Sequence, residues 1–387
     1  MTRRMWTAAL LLALAAPVQA QQTPTDVISF LVTNQSVPTG DFEKDSAAAA
    51  ATRDTIVRAL LVNLTSLPLP SSSSGFIYRL NPTLGTMERV SDSFGSFFVE
   101  RALTSGAGRV SFGMSATTAQ FDRLDGQHLD DGSLVTIANQ FRDESAPFDV
   151  ERLTLEVESS SLELFGTFGL TDWIEIGGVV PLTRVHVEGV RRNVYYGDEL
   201  LQASGVGDAS GIGDVALRAK MTVARARQGG VAIAGEWRLP TGNEANLLGS
   251  GRTAIRVLAI ASLEHGRAGL HGNAGIGWGG ASDEIDASGA ATFAVAPRVT
   301  IAGELMIRRL SDLHEIVSVA APHPRFNGVD TFRLVQGTNA TLLSTVVAGL
   351  KWNVGSTFVL GGHVAWPTSS GGLTAPITPT VSLDYLF

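Results

Sequence analysis

Residues 214–223 read DVALRAKMTV. Val215, Leu217, Ala219, Met221 and Val223 fall on one side of an extended chain, and Asp214, Arg218, Lys220 and Thr222 on the other, because successive strand side chains point to opposite faces. Residues 231–239 repeat the pattern, with Val231, Ile233, Trp237 and Leu239 against Glu236 and Arg238. So do residues 299–308, with Val299, Ile301, Leu305 and Ile307 against Thr300, Glu304 and Arg308. Each stretch predicts a strand with one apolar and one charged face.

Two architectures use such strands. An antiparallel sandwich turns the charged face to bulk water; a membrane barrel turns the apolar face to lipid. Three signs select the barrel. Tight connections (105–108, 171–172, 228–230, 265–267, 296–298, 353–356) alternate with long polar ones near 122–147, 191–212, 241–251, 281–286, 311–340 and 368–375, as short periplasmic turns alternate with longer outer loops. Trp173, Trp237, Trp278, Trp352 and Trp366 fall near strand ends, where an interfacial girdle needs them. The chain closes on VSLDYLF (381–387), apolar at every second position with Tyr385 two before the terminal Phe387. That ending resembles the C-terminal signal that the barrel assembly machinery recognises. Removing Phe387 is therefore expected to impair assembly, read as loss of the heat-modifiable gel band.

Composition agrees with an exported β protein. The 387 residues hold no cysteine, 42 glycines, 17% charged and 7% aromatic residues, with mean hydropathy +0.17. Disulfides and thiolate metal sites are excluded. The net charge is −8, and no basic stripe is present to neutralise phosphates, which argues against nucleic-acid binding. Beyond the first 20 residues no apolar run approaches the 18 of a membrane helix. Residues 1–20 read as a signal peptide: Arg3 and Arg4, an apolar stretch from Trp6 to Ala16, and Val18-Gln19-Ala20 before the cut. Losing the two arginines takes the charge from −8 to −10.

The expected organisation is all-β: a transmembrane antiparallel barrel over 75–387, preceded by a helical plug segment over 21–74. Strands are expected at 75–82, 93–104, 108–121, 148–170, 173–190, 213–226, 229–240, 252–264, 268–280, 287–296, 299–310, 341–353, 356–367 and 377–387. That makes fourteen, or twelve if 75–104 belongs to the plug. In 148–170 the apolar set switches from odd (Leu153, Leu155, Val157) to even (Leu162, Leu164, Phe168) positions, which predicts a bulge near Ser159–Ser161. Glu43–Leu64 reads as a helix carrying Ile56, Val57, Leu60, Leu61 and Leu64 on one face, whereas Asp26–Val37 is mixed in character. With no second helix to pack on, that face is expected inside or across the periplasmic mouth.

By alternation, Glu156, Glu158, Glu163, Arg218, Lys220, Glu236, Arg238, Arg256, Glu304, Arg308, Lys351 and Asp384 should line the lumen. Mixed signs on neighbouring strands favour cross-strand pairing over a selective charge ladder. Catalytic signatures are poor. Gly211-Ile212-Gly213-Asp214-Val215-Ala216 matches a dinucleotide fingerprint only formally, since a strand follows it. His314-Glu315 lacks the second histidine of a zinc-protease helix. The acidic loop residues Asp122, Asp125, Asp130, Asp131, Asp208 and Asp214 are turn chemistry before they are calcium ligands. His271 and His363 fall on inward positions. No metal, cofactor or catalytic residue is assigned.

SFGSFFVERALT (93–104) with GRVSFG (108–113), GVGD (205–208) with GDVALRAK (213–220), and RLPTGNEANLLGSG (238–251) resemble a family of outer-membrane transporters associated with the MetA pathway of phenol degradation, similar to FadL-type hydrocarbon transporters. Asn81-Pro82-Thr83 approximates the plug motif of the latter. The resemblance implies a plugged outer-membrane barrel that takes up small hydrophobic or aromatic molecules, with outer-membrane lipid around it. The alternatives are a structural or adhesive barrel, and an outer-membrane hydrolase using His186 or His363 with a loop serine.

Overall fold

The computed structural model describes residues 22–33, 39, 42–65, 68–72, 75, 78–81, 86–89, 91–226, 228–355 and 357–386. The signal peptide expected at 1–20 and the terminal Phe387 lie outside the described residues.

Twelve antiparallel strands close on themselves. They are β1 (Val110–Phe121), β2 (Asp149–Gly169), β3 (Ile174–Tyr195), β4 (Ala216–Ala226), β5 (Gly229–Arg238), β6 (Ala254–His265), β7 (Ala268–Gly279), β8 (Glu284–Ala296), β9 (Val299–Pro322), β10 (Val329–Gly355), β11 (Phe358–Pro367) and β12 (Thr378–Leu386). Sequence neighbours pair around the ring. β12 closes it on β1, from Thr380 opposite Thr117 to Leu386 opposite Ser111. Two further strands join the same fourteen-stranded sheet: Leu134–Phe141 bridges the outer ends of β2 and β10, and Asp198–Ile212 pairs with the outer half of β3. The expected strand at 75–82 is instead half of a separate hairpin, Tyr78–Asn81 with Thr86–Arg89. The one at 93–104 is irregular and is not part of the wall. The twelve-strand alternative therefore describes the barrel.

On β4 to β7 the strands have 10–12 residues, close to the ~9–11 that cross a tilted bilayer span. Their outward residues, such as Leu217, Met221, Ile233, Val257 and Ile276, are exposed and apolar. Trp237 and Trp278 flank Ile255 in one row at the loop end, and Trp173 and Trp352 lie toward the turn end. There Arg225 stacks over Trp173 at 4.3 Å, and Tyr385 meets Phe112 and Phe358 at 5.0 and 4.9 Å.

β2, β3, β9 and β10 continue well past this belt, and their polarity inverts. No bulge interrupts β2: its register against β3 is unbroken from Asp149 to Gly169. Odd positions face inward throughout. Below Ser161 they include the polar Glu163 and Thr167 with Phe165 between them, while Leu164 and Phe168 face outward. Above it they are Leu153, Leu155 and Val157, all buried, while Glu156 and Glu158 face outward and are exposed. The expected inward placement of those two glutamates is thus corrected. The strand keeps its geometry and its surroundings change, from lipid outside to water outside. β3 switches likewise, from Ile176, Val180 and Leu182 outward to Arg184 and Glu188 outward, with Val185 and Val187 inward. The segments 191–212 and 311–340, expected as loops, are mostly strand for this reason.

The apolar inner face of this upper wall packs on two helices. α1 (Pro24–Thr33) was not evident from its mixed composition, although Thr23 and Asp26 form a reciprocal capping box, with Asp26 N donating to Thr23 Oγ1 (3.1 Å) and Thr23 N to Asp26 Oδ2 (3.3 Å). Pro24 stands at the first helical position. α2 (Phe42–Thr65) matches the expected helix. Val27, Ile28, Leu31 and Val32 of α1 and Ile56, Leu60, Leu61 and Leu64 of α2 share one core with Leu155, Val187, Leu313 and Leu334, with Val57 packed at its edge. Both helices sit at the long-loop end, opposite the tight turns, and not at the expected periplasmic mouth. The wall rises only there, and with it the apolar surface that can cover them.

Asp198–Ile212 presents Gly205 and Gly207 to α1. A Cβ on Gly207 would lie 3.0 Å from the Pro24 backbone, and one on Gly205 3.2 Å from Val27. Gly207→Val is expected to push α1 off this surface, read as faster proteolysis between α1 and α2 with the gel-shifted barrel band retained.

Candidate functional site: a divided lumen

Inside the belt runs not the helix pair but irregular chain. Residues 68–72 descend from α2, and 91–105 loop up from the turn end before β1 begins. Phe94, Phe97, Val99, Glu100, Arg101 and Ala102 are all buried.

This internal chain is fixed to one half of the wall by charge. Glu100 accepts from Arg218 Nη1 and, at 3.2 Å, from Lys220 Nζ. Ser72 Oγ lies 2.6 Å from Glu100 and 2.5 Å from Glu175, so its single proton bridges the two carboxylates by serving one of them at a time. Lys220 also reaches Glu175 at 2.8 Å, and Arg101 pairs with Glu264 at 2.8 Å. On the opposite side, the backbone N–H groups of Phe97, Phe98 and Val99 all point at the Glu304 carboxylate, and Lys351 donates to Ser96 O at 2.8 Å. Ten of the twelve lumen residues expected from alternation face inward: Glu163, Arg218, Lys220, Glu236, Arg238, Arg256, Glu304, Arg308, Lys351 and Asp384. Several of them bind the internal chain, a role that strand periodicity does not reveal.

Above the internal chain the ladder continues from wall to wall. Arg218 pairs with Glu236 at 2.6 Å, Glu236 with Arg256 at 3.3 Å, Arg256 with Asp286 at 2.5 Å, and Arg308 with Glu284 at 2.5 Å. Arg256 on β6 reaches across β7 to β8. It can do so because Gly275 and Gly277 carry no side chain: a Cβ on Gly275 would lie 2.3 Å from Asp286 Oδ2. Charge-assisted bonds of this kind are strong when fully satisfied. Arg238 donates to Thr65 O at 3.0 Å, tying the end of α2 to the same wall.

The wall formed by β11, β12, β1 and β2 differs. Many of its inward positions are small or hydroxylated, among them Ser111, Gly113, Ser115, Thr117, Thr380 and Ser382. Ser111 faces Thr167 (2.5 Å), Ser115 donates to Glu163 (3.0 Å), and Thr117 meets Thr380 (2.9 Å). Between this wall and the internal chain lies a cavity of about 170 Å³, lined by Thr117, Ser161 and Thr380 on one side and by Phe98, Met306 and Leu343 on the other. His363 also lines it, with Phe97 and Phe98 at ring-centroid distances of 4.3 and 5.1 Å. Neither of its ring nitrogens has a hydrogen-bond partner among the described residues. Two smaller cavities, about 50 and 40 Å³, lie within the charged ladder. The larger opens toward the loop end beside Ser250 and Ala281. The two share Glu236, Arg238, Arg256, Glu284 and Arg308; the inner one shares Pro68, Phe98, Met306 and Arg308 with the 170 Å³ chamber. Sequence reading missed the hydroxyl track, whose signal is the alternating set Ser111, Ser115 and Thr117 (with Gly113 between), Ser159 and Ser161, and Thr378, Thr380 and Ser382.

The residues weighed for other chemistry have local work. His186 Nδ1 lies 3.0 Å from Asp208, and this hydrogen bond holds the Asp208 carboxyl below its ordinary value. His271 meets Ser262 Oγ at 3.1 Å. Asp125, at φ 49°, accepts from Gly372 N (2.6 Å) and Ile316 N (2.8 Å), clamping three outer segments; burial pushes its carboxyl up. Asp214 accepts from Gly242 N (3.0 Å) and Ser250 N (2.8 Å), so the 238–251 loop folds onto the 213–220 motif. No group of three or more potential metal ligands occurs among the described residues.

No family model matches the chain, and no curated protein matches it. Among solved structures, it is similar to an outer-membrane channel from Pseudomonas putida F1, at 13% identity and a TM-score of 0.49, over 74% of this chain and 98% of that one. It is similar also to the NanC porin, at 6% identity and a TM-score of 0.38, over 70% of this chain and 98% of that one. A third is the KdgM porin in complex with disordered oligogalacturonate, at 8% identity and a TM-score of 0.32, over 71% of this chain and 99% of that one. By its own closed wall and apolar belt, the chain is a bacterial outer-membrane β-barrel.

Proposed function

We propose that this barrel is a narrow channel for passive uptake of small hydrophobic or aromatic molecules, with its own N-terminal segment as the plug. The observation that carries the reading is the series of three adjoining cavities from the loop end into the lumen. Their capacity bears on the solute. An apolar cavity of ~150 Å³ holds one benzene ring, and the inner chamber is of that order. Its aromatic and aliphatic side suits an apolar body, and its hydroxyl side suits a polar substituent. The resemblance to the MetA-pathway family and to FadL-type transporters points to the same solutes. Assembly would rest on recognition of Tyr385 and Phe387 by the barrel assembly machinery.

The test is accumulation of a labelled single-ring compound in cells with and without the gene. Faster accumulation with the gene supports uptake; equal rates in the two strains overturn it. One observation favours an adhesive role instead. Phe141, Phe148, Tyr195 and Tyr196 cluster at the outer tip, with Tyr196 64% exposed and 5.5 Å from Phe148. Cell adherence lost on Tyr196→Ser with uptake unchanged would favour that reading.

A further inference from the structure

His363 on β11 lines the chamber of about 170 Å³ and is 7% exposed. Both ring nitrogens are buried, and neither has a hydrogen-bond partner among the described residues. Buried polar side chains are nearly always paired, so an exception asks for an explanation. Two other histidines of the barrel do have a partner: His186 Nδ1 meets Asp208 and His271 Nδ1 meets Ser262. The place of His363 is also specifically made. It stands opposite Gly349 in the β10–β11 register, and a Cβ on Gly349 would lie 2.5 Å from the His363 Cβ. The imidazole fits because β10 carries no side chain there. Phe97 and Phe98 then hold its ring, at centroid distances of 4.3 and 5.1 Å. These neighbours fix the ring and give its nitrogens nothing to bond.

We propose that His363 is the recognition group of the chamber, and that the solute it selects is a single ring carrying one hydrogen-bonding substituent. This rests on the channel reading above and narrows it, from hydrophobic molecules at large to those with a polar handle. A neutral imidazole offers one donor and one acceptor, so a hydroxyl on the solute can meet either nitrogen, whichever tautomer is present. Hydroxyls of the same wall are already engaged, as Thr117 is with Thr380 at 2.9 Å. His363 is not, so a polar substituent brought to it supplies a missing bond and breaks none. A hydrocarbon of the same size fills the same space and leaves the imidazole as it was. Buried sites discriminate between solutes through such unmade bonds.

The test uses the full chain in detergent micelles, as wild type, His363→Phe and His363→Asn. Each is titrated with benzyl alcohol and with ethylbenzene, which are matched in size, and binding is counted over empty micelles by equilibrium dialysis. Phenylalanine keeps a ring between Phe97 and Phe98 and removes both nitrogens; asparagine keeps a donor and an acceptor. The affinity ratio of benzyl alcohol to ethylbenzene should fall about tenfold in His363→Phe, the worth of one hydrogen bond, and recover in His363→Asn. In wild type isotopically labelled at the histidine nitrogens, benzyl alcohol should shift the His363 side-chain resonances and ethylbenzene should not. That measurement also serves if His363→Phe fails to give the heat-modifiable band. An unchanged ratio in His363→Phe, or a His363 resonance that benzyl alcohol does not move, overturns the assignment and leaves the channel standing. A wild type that binds neither solute overturns both, since the chamber then holds no solute.

Discussion

Deleting residues 21–70 should leave a barrel that inserts and conducts more than the full chain, with a larger single-channel step in planar bilayers. The deletion removes α1, α2 and the first part of the internal chain, while β1 to β12 and their ring of pairings stay. It also exposes Leu155, Val187 and Leu334 to water. Each buried aliphatic side chain contributes about 1.5–3 kcal/mol, so the raised outer wall should become labile to protease while the membrane belt persists. A truncated barrel that assembles and conducts no more than the full chain would show that the helices do not obstruct the path.

The second large effect is on stability. Glu100→Ala should cost up to about 3–5 kcal/mol, the range for breaking a buried pair, with Glu236 and Glu175 still facing the two cations. Here Arg218 and Lys220 both lose a partner, in a site where Glu100 is 2% exposed. The readout is the urea midpoint of the heat-modifiable band. Neutralising Glu100 and Lys220 together should recover part of the loss. If Glu100→Ala unfolds at the wild-type midpoint, the internal chain is not held by these charges.

How much of this was legible beforehand depended on the range of the interaction. β4, β5 and the 299–308 stretch of β9 could be read because alternation is local and their outer face meets one medium over those residues. Glu156 and Glu158 were misassigned because alternation identifies two faces without saying what lies beyond each; α1 and α2 supply that information, and they are more than ninety residues away in sequence. The stretch 93–104 looks like a strand because it is apolar and short. Its place inside the wall is fixed by Arg218, 118 residues from Glu100, and by Glu304, 207 residues from Phe97. α1 did carry a local signal, the Thr23–Asp26 capping box, which outweighs its mixed composition. The chamber's hydroxyls carry only a short alternation within each strand, and they come together only once β12 is known to pair with β1.

The inversion of polarity along β2 and β3 constrains how the molecule reaches its final place. Glu156, Glu158, Arg184, Glu188 and Arg192 all stand on the outer surface above the belt, and all must pass to the far side of the bilayer. Arg or Lys on the lipid-facing side of a barrel costs about 2–4 kcal/mol at the midplane, with Asp and Glu costing less. Carrying this hairpin through hydrocarbon with five such groups outward would present a steep kinetic barrier. Its tip must therefore travel through a polar passage before the wall seals. The β2–β3 tip is thus expected to cross before β12 joins β1.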